Sequence, residues 1–416
     1  MIPVKNTNSR TPFTPLMHEY LPRLIGRIQY PQDEKHRYVI IAHLFDDTMR
    51  MLCALDPLIE WDAIIGVPYS SDRPGVFDRW RNRFGDNVCI PSDLEALERQ
   101  LVAILAKALE ACRRNGQRLI VQDVGGFAAP ILSTYFRDQS HLVKGVIEIT
   151  KQGVWRAAKL DLDFPVLHCA DSELKRLEAQ RCGETVARCL DGVARDLGQS
   201  LAGRQATVFG GGWIGAGVAR ALARLDMTVA IVDRDPMKLV EARLNGFAAD
   251  AHGSAIERST LVVGATGQTS ITPKILRRMP QDALVASASS RRSEIDMDWL
   301  GALDRERVSF CLDAYTLPRR SDDTGGDDTG GDASGGGAGR KRLLVVNNGY
   351  PANFIVGGGS VADEIVEPIL GELIVLMRAL VLHDHTPGVH RITAAQEAEC
   401  ASLWLDMRDA TIARPA

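Results

Sequence analysis

A chain of 416 residues, 45% hydrophobic and 25% charged, has room for two or three domains with sizeable cores and has the make-up of an ordinary soluble globular protein. Its formal net charge of −4 gives no electrostatic case for binding nucleic acid or an anionic membrane. No apolar run is long enough to span a bilayer, and the N-terminus lacks a signal peptide's basic-then-apolar layout, so the expected location is the cytoplasm.

Residues Met1 to Arg37 carry several prolines and no clear period; they read as an arm with one helix near Leu16 to Ile25. Apolar runs then recur at Tyr38 to Ala42, Ala63 to Val67, Asn87 to Ile90, Leu119 to Val121, Val143 to Ile147 and Pro165 to Leu167, alternating with helical segments. The clearest helix starts at a capping box, Ser92 with Glu95, sets Leu97, Leu101, Leu105, Ala108 and Cys112 on one face, and stops at Asn115-Gly116. Strands alternating with helices predict an α/β fold with a mostly parallel sheet covered on both sides.

After a helix around Gly183 to Leu197 comes the most informative stretch. The run Ala206 to Phe209 leads into Gly210-Gly211-Gly212-Trp213-Ile214-Gly215, a helical pattern through Leu225, and a second run, Thr228 to Val232, that ends on Asp233. Strand, glycine turn, helix, strand and acid come in the order of a dinucleotide-binding βαβ unit. Gly210 permits the tight turn, Gly212 lets backbone approach a pyrophosphate, and Gly215 lets helix pack on strand. Trp213 and Ile214 open the helix whose free N–H groups and dipole favour the phosphates. Asp233, about twenty residues after Gly212, suits the ribose hydroxyls and favours NAD over NADP, although Arg234 beside it could meet a 2′-phosphate.

Further runs at Thr260 to Val263, Ala283 to Ala286, Arg307 to Cys311 and Leu343 to Val346 extend this second α/β domain. Ser321 to Gly339 is acidic, glycine-rich and internally repeated, with too little apolar content to order itself; it reads as a disordered insertion whose deletion should leave folding and NAD binding unchanged. A helical apolar segment from Val361 to Leu382 returns to the first domain. The eight cysteines lack a C-x-x-C pair and read as reduced, and His383-Asp384-His385 lacks supporting ligands, so no metal is expected.

Several stretches taken together resemble S-adenosylhomocysteine hydrolase. Besides the glycine unit with Asp233-Arg234-Asp235-Pro236, these are Asp123-Val124-Gly125-Gly126, Glu148 to Val154, Ala170 to Lys175, Thr266-Gly267, Glu294-Ile295-Asp296, Asn347-Asn348-Gly349 and Gly388-Val389-His390, in the family's order over roughly residues 38 to 395. The resemblance implies two doubly wound domains: a substrate domain over 1–195, an inserted Rossmann NAD-binding domain over 196–355 carrying the insertion at 321–339, and a return segment over 356–416. It also implies a closed cycle of oxidation, elimination or addition, and reduction at a ribose, and adds Thr150, Thr266 and Asn347 to the cofactor residues.

The substrate half departs from the family. Asp123 remains, but the catalytic aspartate after it is Val124. A substrate-binding glutamate is Ile149, an aspartate is Ala179, the active-site cysteine is Glu184, a histidine is Ser290 and a substrate threonine is Phe45. His43 and Lys175 persist. Lysine beside a nicotinamide can deprotonate an alcohol when its surroundings lower its pKa, so Lys175, His43 and Asp123 are the candidate catalytic residues; a surface lysine, a polar lining histidine and a helix cap are their bland alternatives. The expectation is an NAD-dependent oxidoreductase acting on a small molecule or carrier-bound intermediate less polar than adenosine or differently oriented. Hydrolysis of S-adenosylhomocysteine with displaced groups and NAD binding without turnover stay open. The family's C-terminal lysine and tyrosine have no counterpart in Thr411 to Ala416, which leaves a homo-oligomer possible but not transferable.

Overall fold

The computed structural model describes residues 17–318, 340–355 and 359–412; the insertion expected at 321–339 lies outside them. Two compact units are formed, one by Met1–Lys175 with Ala362–Ala416 and the other by Arg176–Val361. The first run of elements is α1 (Met17–Arg27), β1 (His36–Ala42), α2 (Asp46–Leu55), β2 (Trp61–Gly66), α3 (Pro68–Ser71), α4 (Val76–Phe84), β3 (Val88–Cys89), α5 (Leu94–Asn115), β4 (Arg118–Asp123), α6 (Ala128–Tyr135), β5 (Val143–Glu148), α7 (Lys151–Ala157) and β6 (Pro165–His168). Next come α8 (Glu173–Asp196), β7 (Gln205–Phe209), α9 (Trp213–Ala223), β8 (Thr228–Val232), α10 (Pro236–Leu244), β9 (Ala248–Ala249), β10 (Leu261–Gly264), α11 (Pro273–Arg278), β11 (Leu284–Ser287), α12 (Met297–Gly301), β12 (Asp304–Ser309), β13 (Leu312–Leu317) and β14 (Lys341–Val346). The chain closes with α13 (Asp363–Leu382), β15 (Gly388–Arg391) and α14 (Ala394–Ile412).

The first unit is built on a parallel sheet in the order β3-β2-β1-β4-β5-β6-β15. Its central strands are continuous apolar runs because both faces are covered. Tyr38, Ile40, Ile64, Ile120 and Ile147 face a core shared with α1, α2, α13 and α14, while Val39, Ile41, Ile65, Leu119 and Val121 face a second core with α5 and α6. The chain runs outward from β1 to β3, then restarts at β4 and runs the other way. That reversal opens a crevice at the carboxyl ends of β1 and β4, where open α/β sheets bind ligands.

The second unit repeats the plan. Strands β9-β8-β7-β10-β11-β14 are parallel, and β13 and β12 extend the sheet antiparallel. Its reversal falls between β7 and β10, beside the glycine turn.

Four expectations need correction. The cap of α5 is Asp93, whose carboxylate accepts the Ala96 N–H at 2.7 Å, while the Ser92 hydroxyl donates to Asp93. The run Arg307 to Cys311 is not one strand; it spans the turn of a β12–β13 hairpin. The helix placed at Gly183 begins ten residues earlier, at Glu173. The units divide after Lys175 and after Val361, not at 195/196 and 355/356, because α8 runs unbroken across the first division and offers no turn signal there.

Candidate functional site

In the first unit the loops after β1, β4, β5 and β6 converge on the carboxyl edge of the sheet. His43 follows β1, with its Nδ1 2.6 Å from the Ser70 hydroxyl, which itself lies 3.0 Å from the Val67 carbonyl. A serine hydroxyl has one proton; given to Val67, it requires His43 to donate through Nδ1 and puts the imidazole lone pair on Nε2. The ring lies 5.9 Å from Phe45, roughly parallel, and 5.7 Å from Tyr69, and the Arg73 guanidinium sits over Phe45. Burial, with Lys175 and Arg73 adding positive charge, pushes His43 down to about 3, so it is neutral at physiological pH.

Asp123 ends β4 and is fully buried; its Oδ2 accepts the Ala128 N–H at 2.7 Å, at the start of α6. Glu148 ends β5 alongside it. One Glu148 oxygen accepts the Thr150 N–H and hydroxyl and the Gly125 N–H, and the other accepts the Gly126 N–H at 2.9 Å. A Cβ on Gly153 would lie 2.0 Å from this carboxylate, so the glycine is what admits it. Burial and the neighbouring Asp123 raise the Glu148 pKa against the pull of these donors. Both acids hold the loops in shape, and neither presents a carboxylate to solvent.

Thr150 caps α7: its hydroxyl donates to Glu148 and accepts from Gly125 and Gly153, each at 3.1 Å. One donor and two acceptors exhaust a hydroxyl, so any role toward a nicotinamide falls to its position. Lys175 lies in the first turn of α8, half-buried, close enough for its charge to act on His43, Cys169 and Glu372. Val124 is buried and Phe45 and Ile149 partly so at this same edge. Sequence reasoning passed over Ser172, Glu372 and Glu397; two glutamates, Glu367 and Glu372, within the apolar run of α13 were the available signal.

The second unit carries the cofactor candidates. Gly210 has φ +95°, and a Cβ on Gly215 would fall 1.9 Å from the Gly210 carbonyl oxygen, so turn and helix can meet only as glycines. Nothing lies within 4 Å of a Cβ built on Gly212, and no side chain caps α9 there; Trp213 and Ile214 form its first turn, partly exposed. Asp233 accepts the Gly211 N–H at 2.6 Å and the Asp235 N–H at 2.9 Å, and Arg234 is exposed. Thr266 and Gly267 give their N–H groups to Glu294 at 2.5 Å each; Glu294 is fully buried and also takes the Ser270 hydroxyl. Asn347 follows β14 with φ +50°, its amide donating to the Pro351 carbonyl at 2.9 Å. The open face at Gly212, an uncapped helix start and a strand-end acid fit a dinucleotide's pyrophosphate and ribose.

The His383 to His385 triplet is no ligand set: Asp384 pairs with Lys144 at 2.5 Å and Arg118 at 3.2 Å. Among the described residues no group of three or more His, Cys, Asp or Glu side chains could hold a metal ion, and no helix is long and apolar enough to cross a membrane.

Residues 183–322 match the S-adenosyl-L-homocysteine hydrolase, NAD binding domain. An S-inosyl-L-homocysteine hydrolase from Methanopyrus kandleri is 28% identical over 69% of this chain and 65% of its own length. An adenosylhomocysteinase from Aeropyrum pernix is 28% identical over 69% of this chain and 66% of its own. This chain is similar to the S-adenosylhomocysteine hydrolases, whose NAD binding domain it carries over residues 183–322. A second adenosylhomocysteinase, from Thermotoga maritima, is 32% identical over 42% of the chain and 44% of its own length. The chain thus spans about two thirds of the first two relatives. The matched NAD binding domain gives the second unit its cofactor, NAD.

Proposed function

We propose that this protein is an NAD-dependent oxidoreductase whose substrate is less polar than adenosine, or differently oriented. The observation that carries the reading is the carboxyl edge of the first unit. There Lys175 and His43 lie within electrostatic reach of each other, beside Phe45, Val124 and Ile149, at positions where the family resemblance implies polar substrate or catalytic groups. Bound NAD supplies a hydride acceptor and donor. Lys175 takes the proton of a substrate hydroxyl and returns it in the reverse direction. His43, neutral and with its lone pair on Nε2, accepts a hydrogen bond from the substrate, and Phe45 and Tyr69 offer an apolar surface for its body. Asp123 and Glu148 hold the loops that shape this edge; they are not proton carriers in this scheme.

The relatives' names supply the competing reading, cleavage of S-inosyl- or S-adenosyl-L-homocysteine. Incubating the NAD-loaded protein with both thioethers and with a panel of secondary alcohols, and following homocysteine release and nicotinamide reduction separately, decides between them. Reduction by an alcohol without homocysteine release is the expected result. Homocysteine release at an enzymatic rate assigns the hydrolase reading instead.

A further inference from the structure

Lys175 projects from a helix start anchored by residues some two hundred positions away in sequence. Its backbone N–H donates at 2.9 Å to the Ser172 hydroxyl, which donates in turn at 2.8 Å to Oε2 of Glu372 on α13. Two residues before Lys175, the Glu173 N–H donates at 2.9 Å to Glu397 of α14. Ser172 and Glu372 are fully buried, and Oε1 of Glu372 is buried without a hydrogen-bond partner. A carboxylate in the middle of an apolar helix is costly unless something nearby repays it. The groups that face it are Lys175, Ser172 and Cys169 from the stretch after β6, Glu397 and Cys400 from α14, and Tyr20 from α1. Lys175 is the cation in this set. Burial pushes Glu372 up to about 8, and Lys175 opposes that rise.

We propose that Glu372 is a positioning residue for Lys175, fixing the first turn of α8 through the Ser172 hydroxyl and setting the field at the lysine ammonium with its own carboxyl group. The return segment thereby tunes the proposed proton carrier instead of only completing the hydrophobic core. The inference rests on the reading of Lys175 as that carrier, but its test needs no turnover.

The test is site-resolved acylation of lysine amines across pH on the full NAD-loaded chain, quantified by peptide mass spectrometry, with exposed Lys107 and Lys274 as internal references. In Glu372→Gln, which keeps an acceptor for Ser172 but removes the charge, the midpoint of Lys175 labelling moves down by roughly half a pH unit to one unit while the references stay put. Glu372→Asp, which keeps the charge, restores most of the wild-type midpoint. An unchanged Lys175 midpoint in folded, NAD-bearing Glu372→Gln overturns the proposal, because a purely structural glutamate would not move it. Should that variant fail to fold, Ser172→Ala carries the test: Lys175 labelling accelerates roughly fivefold, the size expected from a lost helix cap, and a wild-type rate overturns the proposal. Turnover that survives Lys175→Met would sink the proton-carrier reading alone and leave the labelling result standing.

Discussion

His43 and Lys175 carry like charges when both are protonated; burial of the imidazole, reinforced by the nearby lysine and Arg73, keeps His43 neutral. With His43 pushed down to about 3, the proposed scheme assigns proton transfer to the lysine. Lys175→Met should lower the turnover number by about two to four orders of magnitude while NAD content stays at the wild-type level, read by steady-state kinetics and nucleotide analysis. Stability should record the same burial. A histidine whose folded pKa lies below its unfolded value near 6.5 is fully accommodated only above that value, and stability is lost as pH falls from 6.5 toward 3. His43→Gln should therefore flatten the acid limb of the stability–pH curve, by at most about 1.4 kcal/mol per pH unit. Glu367 acts with the opposite sign. It is buried and pushed up to about 7, so the folded state binds its proton more tightly and stability falls as pH rises from 4.5 to 7. Glu367→Gln should remove that decline, as urea unfolding at pH 5 and pH 7 would show; an undiminished decline would mean that Glu367 is ionised without cost.

At the scale of elements, the glycine turn between β7 and α9 is the most constrained. A methyl group on Gly215 has nowhere to go, with the Gly210 carbonyl oxygen 1.9 Å from its position, so Gly215→Ala must push α9 off the strand. The expected outcome is loss of copurifying nucleotide and a destabilisation of roughly 2 to 4 kcal/mol, read by nucleotide analysis and denaturant unfolding. This unit was legible in the sequence because its chemistry is local: turn, helix start and Asp233 lie within one βαβ stretch. The buried parallel strands were legible for a related reason, since continuous apolar runs mark strands covered on both faces. Elements whose signal is weak or distant were missed. Strand β12 is exposed along almost its whole length and rich in charge, so nothing periodic sets it apart from a loop. The support of Lys175 escaped because Ser172 and Glu372 are joined by the fold across a separation of 200 residues. Asp123 was a catalytic candidate in the sequence, but the hydrogen bonds show it and Glu148 turned inward to hold loops.

At the scale of the molecule, the two units are variations on one plan, each a parallel sheet that reverses direction beside its central strand. The resemblance to the family is unequal between them. The NAD-binding unit carries the glycine turn, Asp233 and the match over residues 183–322, whereas in the first unit the family resemblance implies that Lys175 and His43 are kept and that Phe45, Val124 and Ile149 stand in place of polar groups. Retained redox chemistry on a changed substrate is the simplest account of that inequality. It is tested most directly by denaturing the purified protein, identifying the released nucleotide and its redox state by mass spectrometry, and assaying the same preparation for cleavage of S-adenosyl- and S-inosyl-L-homocysteine. The account expects NAD or NADH and no homocysteine. Homocysteine at an enzymatic rate, or a protein that neither carries nor binds the nucleotide, would contradict it.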